Sequence, residues 1–248
     1  MLRNVLRGHP NLCCPEETQF YRWGSPFRTP EFCRPYTNGQ VFKKHRELDG
    51  VDEEAFLQIL QTSLSREKLM EQYFDLFKKA RGYTNRRVFD KSPQNIYGIP
   101  LLLATVPGAK LIMIVRNPFN VVASLKEGRQ MRIDDVVGAA NYWSEAVRIM
   151  TFMKNILPET CFIVKYEEFI SQPYTYLKPM MSFIDEEYDP DYFDVGTLRP
   201  ERNRHLDILT DEDRSLVRAV CGHEMAAFGY DLGETVTEVD AIGGPRTV

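Results

Sequence analysis

The sequence lacks the features that mark several common classes of protein. No hydrophobic run approaches the roughly 20 residues that cross a bilayer. A net charge of −4 leaves no excess of lysine and arginine, which argues against a general nucleic-acid binder. The five cysteines are odd in number and show no C-x-x-C spacing, and the four histidines are scattered without an H-E-x-x-H pattern. We therefore expect a cytoplasmic protein with no metal, no nucleic-acid partner and no membrane segment.

The sequence does have the composition of a globular protein with a real core, since 43% of it is hydrophobic and 27% charged. Segments in which hydrophobic residues recur at helical spacing alternate with short apolar runs rich in β-branched residues. Such runs are typical of a parallel sheet covered on both faces, so the predicted class is α/β. We predict one domain over 1–233, with a long loop at 24–50, and a loosely ordered tail over 234–248. Strands are predicted at 87–89, 110–115 and 160–165, and the clearest helices at 53–62, 65–80, 134–155, 173–184 and 211–228.

The most informative stretch runs from Lys110 to Ser124 and reads K-L-I-M-I-V-R-N-P-F-N-V-V-A-S. A buried strand ends abruptly at Arg116, and the Asn-Pro that follows can open a helix. Ser124 falls eight residues after Arg116, on the first turns of that helix. Open α/β sheets bind ligands at the carboxyl ends of their strands, and a guanidinium beside a helix start suits a phosphate. Taken alone, the pair fits a surface ion pair and a helix hydroxyl equally well.

Three further groups stand at predicted strand ends or in short turns. Lys91, in F-D-K-S-P, could reach into the same crevice or lie solvated in a turn. The adjacent carboxylates Glu16 and Glu17 could supply a general base, although most such pairs are simply solvated. Tyr166, in V-K-Y-E-E-F, could stack on a base, donate to a phosphate or lie at the edge of the core.

Together these groups resemble the sulfotransferase family that uses 3′-phosphoadenosine 5′-phosphosulfate (PAPS), most closely in pattern the protein-tyrosine sulfotransferases and their bacterial relatives. In that family a strand ends in V-R and a serine follows eight residues after the arginine, so Arg116 and Ser124 match the pair that binds the cofactor's 3′-phosphate. The family's E-K-S-P turn resembles Asp90-Lys91-Ser92-Pro93. The resemblance implies that Lys91 stabilises charge on the transferring sulfuryl group.

Two more segments extend the resemblance to roughly residues 1–185. The family's H-P-x-x-x-C-G-E-E-T segment resembles His9–Thr18, which places the catalytic base on Glu17. Its V-x-Y-E-x-L strand end resembles Val164–Phe169, which places Tyr166 near the nucleotide. The implied fold is a P-loop-NTPase-like three-layer sandwich with a central parallel sheet. Residues 202–204, Arg-Asn-Arg, are a guess for a basic lid over the cofactor.

One signature of the family is not in the sequence, namely a strand followed by P-R-S-G-T-T, whose backbone N–H groups cradle the 5′-phosphosulfate. Counting back from His9-Pro10 places Met1 just after the last threonine of that loop. We expect a strand and loop of about 20–30 residues upstream of Met1, which the genomic codons would reveal. Without that strand its neighbours would have unpaired backbone groups, so we expect this chain alone to be poorly stable and to turn over little PAPS.

The predicted function is sulfuryl transfer from PAPS to a hydroxyl group of a small molecule or peptide. One alternative is a non-catalytic or decayed protein of the same fold. Another is a kinase-like nucleotide-binding protein, although the sequence contains no G-x-x-x-x-G-K-[ST]. The acceptor and the oligomeric state are not readable from the sequence.

Overall fold

The structure is a computed structural model that describes residues 1–22, 24–128, 131–201 and 203–230. The predicted tail at 234–248 lies outside the described residues. The strands are β1 (Leu12–Cys13), β2 (Arg87–Val88), β3 (Leu111–Val115) and β4 (Cys161–Lys165). The helices are α1 (Leu2–Leu6), α2 (Pro30–Asn38), α3 (Gln40–Asp49), α4 (Glu53–Thr62), α5 (Arg66–Arg81), α6 (Ile99–Thr105), α7 (Pro118–Lys126), α8 (Val136–Ile156), α9 (Tyr166–Ser171), α10 (Pro173–Phe183), α11 (His205–Ile208) and α12 (Asp211–Ala227), with 3-10 turns at Pro93–Gly98 and Pro190–Tyr192.

The strands pair in parallel, as the continuous apolar runs predict. Within the described residues, β1 pairs with β2 in the register Leu12 to Arg87, and β3 pairs with β4 in the register Leu111 to Cys161. The predicted strands are confirmed within a residue or so, and the α/β class is confirmed with them. Sequence reasoning did not find β1, because two residues are too short to show a periodicity.

The clearest helices formed where their caps and spacing predict. In α5 the Ser65 hydroxyl accepts the N–H of Lys68 at 3.4 Å, and the helix ends at Gly82, whose φ of +67° is left-handed. Leu69 and Tyr73, one turn apart, are buried on the same face. A β-carbon strains the left-handed region, so glycine at this C-terminal position is the expected residue.

The predicted long loop at 24–50 is wrong, because two helices, α2 and α3, occupy most of it. Thr29 caps α2 by accepting the N–H of Phe32 at 3.4 Å. Phe32 and Tyr36, four residues apart, are both buried, so they form the apolar face of a short helix. Helix α3 ends at Gly50, with φ of +75°. The density of proline, glycine and arginine concealed this spacing.

An aromatic core joins α2–α5 to the segment that follows β1. The rings of Phe20 and Tyr73 meet edge to face at 5.6 Å, and those of Tyr36 and Phe42 lie 4.8 Å apart. A second core surrounds β3 and β4 and receives α1 and α10; its largest fully buried members are Leu12, Phe169, Leu177, Met180 and Met181. The chain between β1 and α2 therefore packs into the aromatic core, whereas β1 itself contributes Leu12 to the second core.

By its contacts the chain divides into two compact units. Of the described residues, unit 1 comprises those in 1–116 and 146–201, and it contains all the strands named above. Unit 2 comprises the described residues in 117–145 and 203–230. Within unit 2, α7 packs against α11 and α12, and Lys126 pairs with Asp213 at 2.8 Å. Among the described helices, none has the length and hydropathy of a membrane span.

Candidate functional site

The end of the β1–β2 pair brings Glu17 and Lys91 together. Glu17 follows β1 by four residues and Lys91 follows β2 by three, so the parallel register carries both to the same edge. Their side chains form an ion pair, and Glu17 also accepts a hydrogen bond from the Gln19 amide at 3.1 Å. The side chain of Glu17 is 21% exposed and that of Lys91 is 40% exposed. The pair is thus partly screened from water yet open on one side.

Glu16, the other carboxylate of the doublet, is tied to arginines. It pairs with Arg3 at 2.7 Å and approaches Arg7 at 3.6 Å. Burial alone would raise the pKa of Glu16, but the hydrogen bond and the charge of Arg3 outweigh burial and lower it. A carboxylate with a lowered pKa is a weaker base, which counts against Glu16 as a proton acceptor.

The backbone of this doublet is fixed by side chains of α3 and its end. Asp49 is buried and accepts the N–H of Glu16 at 2.8 Å and the hydroxyl of Tyr73 at 2.6 Å. His45 is hydrogen-bonded through Nδ1 to the Glu17 carbonyl at 3.0 Å. Burial raises the pKa of Asp49, against the opposing hydrogen bonds from Tyr73 and Glu16. The α3 helix, which sequence reasoning missed, therefore orients the Glu16–Glu17 segment.

The end of the β3–β4 pair brings Arg116 and Tyr166 together. The register places Val115 opposite Lys165, so the next residue of each strand lies at the same edge. The guanidinium carbon of Arg116 lies 4.7 Å from the centre of the Tyr166 ring, a cation–π contact. Tyr166 begins α9, which follows β4 directly.

A carboxylate binds the guanidinium of Arg116. Glu201 accepts Nε–H at 2.8 Å and Nη2–H at 2.6 Å, a bidentate pair. The Arg116 side chain is 33% exposed and that of Glu201 is 15% exposed. Burial would lower the pKa of Arg116, but the hydrogen bond and the charge of Glu201 raise it. Arg116 is therefore held as a cation with its fork on an oxyanion.

Ser124 is exposed on α7 and belongs to unit 2, whereas Arg116 is the last residue of the first stretch of unit 1. Their predicted pairing on a phosphate stays a prediction. Of the guessed lid at 202–204, Arg202 lies outside the described residues. Arg204 pairs with Glu127 at 2.5 Å, both in unit 2.

Sequence reasoning missed two carboxylates that contact the predicted residues or their neighbours. Glu201 lies 85 positions after Arg116, in an irregular segment whose letters carry no signal. Asp90 stands beside Lys91, where the D-K-S-P turn was recognised, but its own partners were not. In the part of the chain that the structure describes, no group of three or more histidine, cysteine or acidic side chains could hold a metal ion.

Comparisons of the sequence with known proteins point to one family. A model of the sulfotransferase family matches residues 1–190. A putative protein-tyrosine sulfotransferase of Caenorhabditis elegans is 22% identical over 219 residues, or 85% of this chain and 71% of that protein. A putative protein-tyrosine sulfotransferase of Caenorhabditis briggsae is 22% identical over 196 residues, or 76% of this chain and 61% of that protein.

Solved structures give the same result for the fold. The sulfotransferase domain of the Synechococcus PCC 7002 olefin synthase superposes with a TM-score of 0.64 at 20% identity, covering 93% of this chain and 90% of that one. A sulfotransferase from Alicyclobacillus acidocaldarius superposes with a TM-score of 0.52 at 16% identity, covering 93% and 91%. The predicted P-loop-NTPase-like α/β fold is confirmed by these likenesses.

Proposed function

The chain belongs to the sulfotransferase family, and from that premise we propose that it transfers a sulfuryl group from PAPS to a hydroxyl acceptor. The observation that carries the proposal is the Glu17–Lys91 pair, which joins a base to a cation across 74 positions of sequence. Such a pair meets the demands of in-line group transfer, namely proton removal and stabilisation of spread negative charge.

Each residue has a proposed role. Glu17 takes the proton of the acceptor hydroxyl as the hydroxyl oxygen bonds to sulfur. The bond between sulfur and the 5′-phosphate oxygen breaks, and adenosine 3′,5′-bisphosphate is the leaving group. Lys91 offers its ammonium group to the negative charge that develops on the transferred group. When bound, PAPS supplies a sulfuryl group activated by its bond to a phosphate. The contact between Glu17 and Lys91 supports both roles, because a base and a cation that act at one reacting centre must lie close together.

The residues at the β3 end fit the 3′-phosphate half of the donor. The Glu201 carboxylate takes two donors of Arg116, so an oxyanion of comparable size has a bidentate partner at this fork. Tyr166 supports the guanidinium from one face. Ser124 is the proposed second ligand of that phosphate. We assign no residue of this chain to the 5′-phosphosulfate.

The proposed acceptor is a phenol or a peptide hydroxyl, in keeping with the names of the curated relatives. The proposed compartment is the cytoplasm, from the cysteine pattern. All five cysteines are free in the structure.

The test combines a binding arm and a transfer arm on the full chain. Titration calorimetry compares adenosine 3′,5′-bisphosphate, adenosine 5′-phosphate and ATP, and we expect the bisphosphate to bind most tightly. Transfer from ³⁵S-labelled PAPS is then measured to 4-nitrophenol and to tyrosine peptides. Because the sequence predicts low turnover, transfer is scored against a blank without protein. Bisphosphate binding with no transfer above that blank would favour the non-catalytic alternative, and tighter binding of ATP would favour the kinase-like one.

A further inference from the structure

The carboxylate of Asp90 gathers four hydrogen bonds at the β2 end. Its Oδ1 accepts the Thr18 N–H at 3.4 Å and the Ser92 hydroxyl at 3.0 Å. Its Oδ2 accepts the Thr18 hydroxyl at 3.0 Å and the Asn95 amide at 3.0 Å. An ionised carboxylate is an acceptor with about four lone-pair sites, so this set of donors saturates it.

The same turn captures the chain that follows Glu17. Besides the Thr18 N–H on Asp90, the Gln19 N–H donates to the Ser92 hydroxyl at 3.0 Å. The Tyr21 N–H donates to the Asn95 side-chain oxygen at 3.1 Å. Three side chains of the turn thus accept N–H groups from residues 18–21. The turn and these residues are more than 70 positions apart in the sequence.

This capture holds a strained backbone in place. Gln19 has a φ of +51°, in the left-handed region of backbone conformation that residues other than glycine rarely adopt. Such residues persist only where the surroundings over-determine them, and they cluster at functional sites. The hydrogen bonds on either side of Gln19, at Thr18 and at Tyr21, supply that constraint.

We propose that Asp90 is a positioning residue, which with Ser92 and Asn95 forms a clamp that fixes Glu17 against Lys91. The two reacting side chains are the immediate neighbours of clamped residues, Glu17 of Thr18 and Lys91 of Asp90. The roles of Glu17 and Lys91 rest on the proposed function, whereas the clamp itself rests on the contacts. Burial raises the pKa of Asp90, and the hydrogen bonds from Ser92 and Thr18 oppose that rise.

The first experiment measures whether Lys91 is paired, and it does not depend on enzymatic activity. Trace acylation with acetic anhydride, analysed by mass spectrometry, gives the labelling of Lys91 relative to Lys44, an exposed lysine paired with Glu47 at 3.0 Å. Ser92→Ala removes the acceptor of the Gln19 N–H, so Lys91 should lose its fixed partner and its relative labelling should rise about two- to fivefold. Ser92→Thr keeps the hydroxyl and should restore the original ratio.

Matched controls separate the clamp from general hydrogen-bond loss. Ser65→Ala removes another hydroxyl that accepts a backbone N–H, at the start of α5, and should leave the Lys91 ratio unchanged. Asp90→Asn should act like Ser92→Ala, because an amide nitrogen would face the Asn95 donor. Asp52→Asn, at the cap of α4, is its control. If Asp90→Asn fails to fold, Ser92→Ala decides.

The second experiment reads catalysis on the same proteins. In Ser92→Ala we expect kcat to fall about 10- to 100-fold while the acceptor KM stays within twofold, since small displacements of reacting groups have effects of this size. An unchanged Lys91 ratio in folded Ser92→Ala and Asp90→Asn would overturn the clamp. A raised ratio with unchanged kcat would overturn the positioning role. Because the sequence predicts low turnover, only transfer no greater than that of a blank without protein would count against the proposed function, and the labelling result would then decide the clamp.

Discussion

The two ion pairs of the candidate site look alike but are held differently. Glu17 and Lys91 each follow a strand, and side chains bind the backbone beside them. Arg116 also follows a strand, but its partner Glu201 lies in a segment with neither helix nor strand. Under the proposed clamp, the first pair is preorganised by its surroundings. The second pairs a fixed guanidinium with a carboxylate that an incoming anion could replace.

This difference matches the demands of the two proposed tasks. Proton removal and charge stabilisation work best when the groups need no reorganisation during the reaction. Binding and releasing a nucleotide, by contrast, requires a partner that can be exchanged. The predictions below test whether each pair behaves as its supports imply.

The largest expected effect is at Glu17. Glu17→Ala should lower the rate of sulfuryl transfer about 100- to 1000-fold, because the proposed base is lost, and Lys91→Ala should be similarly severe. Initial rates with ³⁵S-labelled PAPS measure it. Glu16→Ala is the matched control, since that carboxylate is committed to Arg3. A greater loss in Glu16→Ala than in Glu17→Ala would move the base to Glu16.

The next effect is on binding, at Arg116. Arg116→Ala should weaken adenosine 3′,5′-bisphosphate about 10- to 100-fold, because two charge-assisted hydrogen bonds to the 3′-phosphate are lost. Affinity for adenosine 5′-phosphate, which lacks that group, should change little. Titration calorimetry of both ligands checks the expectation. An equal loss for both would show that Arg116 does not distinguish the 3′-phosphate.

A smaller effect of opposite sign is expected at Glu201. Glu201→Gln removes the charge that competes for Arg116, so the bisphosphate should bind about three- to tenfold more tightly. Glu47→Gln, which breaks a surface pair with Lys44, is the control and should change nothing. Weaker binding in Glu201→Gln would mean that Glu201 orients Arg116 for the ligand, and the contrast between the two pairs would fail.

The sequence predicted those parts of the site that depend on local patterns. The strand ending at Arg116 and the helix that Pro118 opens follow from an apolar run and a proline. The α5 helix follows from spacing and from Gly82. These signals lie within a few residues of one another, so one chain segment suffices to read them.

The supports of the site could not be read in this way. Asp49 and His45 reach Glu16 and Glu17 only because α3 packs beside them, where the sequence predicts a loop. The Asp90 clamp joins residues more than 70 positions apart, and Glu201 lies 85 positions from Arg116. Such partners depend on tertiary packing, for which a single sequence has no short-range signal.

The smallest expected effect is the loss, at acidic pH, of the stability that the Arg3–Glu16 ion pair contributes. The folded-state pKa of Glu16 is lowered, so between the folded and unfolded values the unfolded chain binds more protons. The stability from the Arg3–Glu16 pair is therefore present above the ordinary glutamate pKa of 4.5 and lost as pH falls through the lowered pKa. The loss should be at most about 1 kcal/mol, because the pair is only partly buried. Urea unfolding of the parent chain and of Glu16→Gln between about pH 3 and pH 7 measures it. The parent chain should have the larger free energy of unfolding near pH 7, and this difference from Glu16→Gln should vanish near pH 3. A difference that does not depend on pH would show that the charge of Arg3 does not hold Glu16. Glu16 would then be as available as Glu17 for the role of base.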